Sequence, residues 1–297
     1  MRISQNYGIE SLLLEINRTR SKIDELQSNL SSGKRVSKLS DDPENINALF
    51  RFKTALTESA RYQKNIEDAI NFMTVTSQAL DDAINILSSI KESAIRGITN
   101  IGDNQWAAEG DQVNHLLKEI VDIANTRFQD RFVFGGSSTK DIPFTLSSDE
   151  GQVLVNPDGV DGNLKILYGN SQIENYNVSG EAAFRENVDI FQTLVDLRDA
   201  ILAKDSTAIE GLLVNIDDSI DQLSLQNANI GGKINRFESY LQQYQSLDIH
   251  LQDMLSRIED TDMAKAIMEL QKEEISLNAT LQVFAKTSSI SLMDYLG

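Results

Sequence analysis

Residues 260–296, DTDMAKAIMELQKEEISLNATLQVFAKTSSISLMDYL, form a helix pattern with no partner inside their own span. The apolar positions Met263, Ile267, Leu270, Leu277, Leu281 and Phe284 make a narrow seam on one helical face, not a broad core-facing stripe. Such a seam needs a second helix, and the other end of the chain offers one. Ile9, Ile16, Ile23 and Leu30 recur at heptad spacing, Leu12 and Leu26 follow at the three-residue offset, and Thr19 takes the remaining interior place. Neither terminus is stable as a lone helix in water, so the simplest solution buries the two seams against each other or against neighbouring molecules.

Working inward, the first helix pattern ends at Ser32, where Gly33 suits a left-handed cap and Lys34 and Arg35 sit well beside the last carbonyls. A polar stretch from Lys34 to Asp42 follows. Asp42 as cap, Pro43 in the first helical position and Glu44 in the first turn then open a second helix. Phe52, Ser59, Ile66, Met73, Leu80, Leu87 and Ala94 keep heptad spacing along it, with Ala69, Thr76, Ala83 and Ile90 between them. From Glu44 to Arg96 that predicts a rod of roughly 80 Å at ~1.5 Å per residue. After a loop around Gly97 to Asn104, a shorter amphipathic helix is expected from about Gln105, with Val113, Leu117, Ile120, Ala124 and Phe128 on one face and Trp106 packing its start.

Composition changes at Gly135-Gly136. From there to Gly180 the chain holds two of its three prolines and extended candidates at 152–155, 164–168 and 173–178, so a small β-rich insert projecting from the side of the rod is expected. Helix returns at 187–203 and again from Thr207. Ile216, Ile220, Leu223, Asn227, Ile230, Ile234, Phe237, Leu241, Tyr244, Asp248, Leu251, Leu255 and Ile258 then alternate steps of four and three, with Asn227 and Asp248 as register-fixing polar exceptions. Continuing that register would bury Asp262 and Lys265, whereas the next seam uses Met263 and Ile267. Glu259-Asp260-Thr261-Asp262 is therefore a joint mirroring the one at Lys34 to Asp42. The predicted fold is mainly α, a long antiparallel helical rod (coiled coil or bundle) with paired terminal helices and a small β-rich insert. Its parts are 1–40 paired with 260–297, a rod of 41–136 and 181–259, and a side domain of 137–180.

The chain of 297 residues carries 27 Lys and Arg against 45 Asp and Glu, a formal charge of -18, with no dense basic run. Nucleic acid and anionic membrane are excluded as partners on that ground. Cysteine is absent, which removes disulfides, thiolate metal sites and cysteine nucleophiles. No apolar run approaches the ~20 residues that span a bilayer, and the first ten residues lack the pattern of a cleaved leader. The expectation is a soluble protein that, if it leaves the cell, uses a route needing no such leader.

Sharper chemical readings give way to plainer ones. In Asn156-Pro157-Asp158-Gly159-Val160-Asp161-Gly162-Asn163 the ligand order of a calcium loop fails at Val160 and Leu167, so capped turns are favoured. His115 and His250 lack a second ligand one helical turn away. Neither Gly135-Gly136 nor Gly231-Gly232 precedes the Gly-Lys-Ser/Thr of a phosphate loop. Asp217, Asp218 and Asp221 read as a solvated helix face. No catalytic residues, cofactor or metal are expected, and the protein is not read as an enzyme.

Leu30-Ser31-Ser32-Gly33-Lys34-Arg35-Val36 with Ser40-Asp41-Asp42-Pro43 resembles the N-terminal motif of the bacterial flagellin family. Asn229 to Glu238 (NIGGKINRFE) resembles its C-terminal rod motif, and Arg257 to Met263 (RIEDTDM) the approach to its final helix. The Met1-Arg2-Ile3-Ser4 start, Pro43 after two aspartates, Phe134-Gly135-Gly136 and the ending Ser291 to Leu296 lean toward the family's hook–filament junction subgroup over filament flagellin. Ile90 to Gly97 follows only loosely the rod motif that innate immune receptors read in many flagellins. The resemblance implies a structural subunit of the bacterial flagellum, serving motility. It is exported unfolded by the type III apparatus to an extracellular position, and its terminal helices order on assembly. Implied partners are further copies of itself, a neighbouring hook-associated protein, flagellin, and an export chaperone shielding the C-terminal helix. A soluble coiled-coil adaptor or signalling module is the alternative from another class. The seam residues Ile9, Leu12, Ile16, Ile23, Leu26, Leu30, Met263, Ile267, Leu270, Leu277, Leu281 and Phe284 are the expected assembly residues.

Overall fold

The computed structural model describes residues 2–36, 42–99, 103–148 and 151–296, without the side chains of 2–6, 97, 99, 103–104 and 287–296. Ser40 and Asp41 of the N-terminal motif, and the side chains of the Met1 to Ser4 start and the Ser291 to Leu296 ending, lie outside the described residues. Three helices come first: α1 (Arg2–Ser32), α2 (Ile46–Thr99) and α3 (Asp103–Ala124). Six short strands follow as three separate antiparallel hairpins, β1 (Arg127–Phe128) with β2 (Arg131–Phe132), β3 (Phe144–Leu146) with β4 (Val153–Val155), and β5 (Lys165–Gly169) with β6 (Gln172–Asn175). The chain closes with α4 (Gly180–Phe184), α5 (Ile190–Ala203), α6 (Ser206–Glu259) and α7 (Met263–Leu296). The fold is mainly helical, with α1 paired to α7 and α2 to α6, as the two sets of seams predict.

Two compact units emerge, residues Met1–Glu58 with Leu247–Gly297, and Ser59–Ser246; the division falls inside α2 and α6. The second unit owes its core to heptad positions read above. Ile66, Met73, Leu80, Ala83, Leu87, Ile90 and Ala94 of α2 are sealed from water, as are Ile216, Leu223, Ile230 and Phe237 of α6 and Val113, Leu117, Ile120 and Ala124 of α3. Asn227 fixes the α2–α6 register as a polar layer. Ser77 donates its hydroxyl to Asn227 Oδ1 at 2.5 Å, and Asn227 Nδ2 donates to Asp81 at 2.6 Å. Tyr62 against Tyr244 at one level and Lys91 against Asp217 at another confirm that the two helices run antiparallel.

The segment expected to project from the side has no core of its own. Phe144, Val160, Ile166 and Val178 are buried within the same cluster as the rod helices. Phe134, Phe144, Phe184 and Phe191 meet with ring centroids between 4.8 and 5.7 Å, mostly edge to face or stacked. Side-chain amides fasten the irregular backbone to the helices: Asn125 both donates to and accepts from Phe144, and Asn65 donates to the Leu167 carbonyl at 2.9 Å. The physical reason is size, because two-stranded hairpins bury too little to stand alone.

Several elements differ from the sequence reading. Asp42 does cap the second helix, accepting from Asn45 N at 3.2 Å, but Pro43 to Asn45 form a turn and regular helix starts at Ile46. The first two hairpins' strands β1, β2 and β3 are too short to show alternation, and α4 too short to show a helical period. The helix expected from Asn187 begins at Ile190, with Asp189 as its cap. His115 and His250 are exposed, and Trp106 is buried at the start of α3.

Gln222 on α6 holds the α4–α5 connection. Its buried amide donates to the Ala183 carbonyl at 2.9 Å and accepts from the Asn187 and Val188 amides at 3.0 Å each. Gln222→Ala leaves those buried groups unsatisfied, a cost of about 2 kcal/mol. The expected drop in the melting temperature is roughly 4–8 °C, with the helical circular-dichroism spectrum at low temperature retained.

Candidate assembly surface

The first unit is organised by the joint between α6 and α7. The register slip between Ile258 and Met263 ends α6 at Glu259, and the next residues meet the segment after α1. Gly33 adopts φ +71°, which releases the chain from the helix, and its carbonyl accepts from Thr261 N at 2.9 Å. Arg35 N donates to the Glu259 carbonyl at 2.7 Å, and Lys34 pairs with Asp260 in an antiparallel bridge. The guanidinium of Arg35 adds bonds to the Ile258 carbonyl at 2.8 Å and to Asp42 at 3.1 Å.

Beside this small ladder the Glu259 side chain, 6% exposed, accepts from Lys34 at 2.7 Å and Lys53 at 3.0 Å through the same oxygen. Burial pushes its carboxyl up, but the hydrogen bonds and charges of Lys34 and Lys53 outweigh that and hold it below its ordinary value. The hydrogen bond and charge of Glu259 raise Lys34 in turn. Asp42 is held low by hydrogen bonds from Asn45 and, less strongly, by Arg35.

From this joint α1 and α7 pair along their length. Ile16, Thr19, Ile23 and Leu26 are buried, and Ile9, Leu12 and Leu30 half-buried. On α7, Ala266 is buried and Leu270, Leu277, Leu281 and Phe284 are half-buried. Met263 and Ile267 are 46% exposed each, whereas Ala266 between them is buried. Exposed with them are Leu13, Leu14, Met268, Ile275 and Val283. The twelve seam positions thus separate into a set that closes the α1–α7 pair and a set that stays open to water. Met268 and Ala266 were missed in the sequence because the heptad pattern gives positions one residue apart no means of competing for the inner face.

Two long helices are paired by a seam, with an apolar face left over. Residues 3–139 match the bacterial flagellin N-terminal helical region and residues 213–296 the bacterial flagellin C-terminal helical region. The chain belongs to the flagellin family and is a structural subunit of the extracellular bacterial flagellum, without enzymatic activity. It is 24% identical to the flagellar filament 30.7 kDa core protein of Treponema maltophilum, over 90% of each chain. Its fold is similar to that of a flagellar hook-associated protein from Vibrio parahaemolyticus, with TM-score 0.68 and 16% identity over 74% of this chain and 100% of that one. Bacillus cereus FlgL is similar at TM-score 0.58 and 24% identity, over 68% and 97% of the two chains. Among the described residues no helix is long and apolar enough to cross a membrane, and no acidic or histidine cluster could hold a metal ion.

The shifts at the joint fix a pH window. The lowered carboxyl of Glu259 contributes stability above its unfolded value of 4.5, lost as pH falls through the folded value; the raised Lys34 contributes below 10.5, lost as pH rises through its folded value. Amide exchange at Arg35, Val36 and Thr261 is therefore expected to be slowest between those limits after correction for intrinsic rates. In Glu259→Gln the protection should fall by about 1–2 kcal/mol and its acid limb should flatten. The cost stays below that of a fully buried pair because both lysines are about half exposed.

Proposed function

We propose that this flagellin-family subunit forms the junction between hook and filament, assembling helically through its terminal helices. The reading is carried by the combination of Met1-Arg2-Ile3-Ser4, Pro43 after Asp41-Asp42, and Ser291 to Leu296, which leans toward the junction subgroup over filament flagellin. In this proposal 1–40 and 260–297 are the assembly pair, 41–136 and 181–259 the rod, and 137–180 a side segment docked on it. Contacts between copies bury Leu13, Leu14, Met263, Ile267, Met268, Ile275 and Val283, at ~25 cal/mol per Å2 of apolar surface taken from water. Heterologous contacts that do not close give a tube rather than a ring.

The neighbours are then a hook-associated protein on one side and flagellin on the other. Export through the type III apparatus, and a chaperone over the exposed apolar face of α7, complete the proposal. The second reading is filament flagellin, favoured by the full-length likeness to the Treponema filament core protein. The family leaves no ground for the adaptor alternative.

Polymerisation separates the first two readings. Growth of the purified chain alone into long filaments is the flagellin outcome; growth only with hook-associated neighbours is the junction outcome. Ile275→Asp, at a residue 70% exposed, should leave the thermal melt unchanged and abolish incorporation into the assembly, and Leu26→Asp, in the α1–α7 seam that orders on assembly, should do the same. Ordering on assembly is checked by hydrogen exchange on the monomer: fast exchange in 5–30 and 265–295 is expected, and uniformly slow exchange there overturns that step.

A further inference from the structure

A cavity of about 500 Å3 opens beside α2 in the second unit, where the β1–β2 turn and strand β5 meet the helix. Phe72, Phe128 and Tyr176 floor it, Phe72 edge to face with both of the other rings. Lys64, Arg131 and Lys165 stand around it, all exposed. None of the three forms an ion pair with a carboxylate among the described residues; Arg131 is spent on the Tyr176 hydroxyl, and Asp68 is the single acid on the lining. In a chain with 45 acidic and 27 basic residues, three cations gathered around a single carboxylate mark a site for something acidic.

The same unit carries a complementary surface. Glu210, Val214, Asp218, Asp221 and Leu225 of α6 step by fours and threes, so they share one helical face, and all five are exposed. Val214 at 61% and Leu225 at 57% are apolar ends flanking the acids. No ion pair engages Glu210, Asp218 or Asp221 among the described residues, whereas neighbouring Asp217 is taken by Lys91. The two surfaces cannot meet within one copy. Tyr62 lies opposite Tyr244 and Lys91 opposite Asp217, so the acidic face sits roughly 30 Å along the helix axis from the groove.

We propose that the cationic groove of one copy receives the acidic face of α6 from a second copy of this chain. Three cations meet three carboxylates, and Val214 and Leu225 cover the ring-lined floor. The axial offset makes the contact heterologous, so each copy offers a free groove and a free acidic face to the next, and the row stays open. This contact rests on the self-assembly reading above and adds to it a lateral, charge-selected interface away from the terminal helices.

The chain has no cysteine, so single cysteines report on contacts cleanly. Full-length Lys165→Cys and Asp218→Cys proteins are mixed in equal amounts, assembled at low salt with the hook-associated neighbours present, and oxidised. A disulfide-linked dimer joining the two variants is expected, and neither variant alone should give it. In a second arm, Arg131→Glu with Lys165→Glu should slow polymerisation at least about tenfold through like-charge contact, and copies carrying Asp218→Lys with Asp221→Lys should restore incorporation when mixed with them. Polymers that form without the mixed disulfide and ignore the charge reversals overturn the proposed contact while leaving self-assembly standing. A wild-type chain that forms no polymer even with the hook-associated neighbours overturns both.

Discussion

The terminal unit depends on a carboxylate almost closed to water that two lysines reach from distant parts of the chain. Glu259 removes the last residue of α6 from the rod register, and with Lys34 and Lys53 it ties three segments at one point. Without a partner, a charge so placed would cost several kcal/mol in desolvation. The neighbouring backbone bonds from Arg35 and Thr261 make the position stiff as well as paired. Everything beyond it, the α1–α7 seam and the apolar face outside that seam, takes its direction from this knot.

Heptad spacing made most of the helical architecture legible in the sequence. Met73, Leu80, Leu87, Ile216, Leu223 and Phe237 are buried where the period places them, and the slip after Ile258 marks the end of α6. Gly33 was readable because few residues other than glycine accept its left-handed geometry. The Glu259 cluster was not, since its two lysines lie more than two hundred residues away in sequence and nothing local distinguishes Lys53 from any exposed lysine. For the candidate surface, periodicity identified which residues are apolar at helical spacing. It could not divide them between the inner and outer faces of α7, because Ala266 competes with Met263 and Ile267 by being small rather than by being more hydrophobic.

The β-rich segment shows the opposite imbalance. Its turns were visible through Asn, Asp, Gly and Pro, while its attachment was invisible, because the attachment runs through side-chain amides outside the segment. Asn65 and Asn125 satisfy backbone groups there that irregular chain cannot satisfy for itself, as Gln222 does for the α4–α5 connection. The aromatic cluster around Phe144 and Phe184 then makes this segment part of the main core.

The strand pairs also bear on the order in which the chain acquires its structure. Each hairpin joins residues close in sequence, such as Arg127 with Phe132 and Lys165 with Asn175, whereas Lys34 and Glu259 are 225 positions apart. Short loops close early and at small entropic cost; the closure that brings the two ends together comes last. The middle of the chain can thus complete its structure before the two ends meet, and its first helix waits for its last.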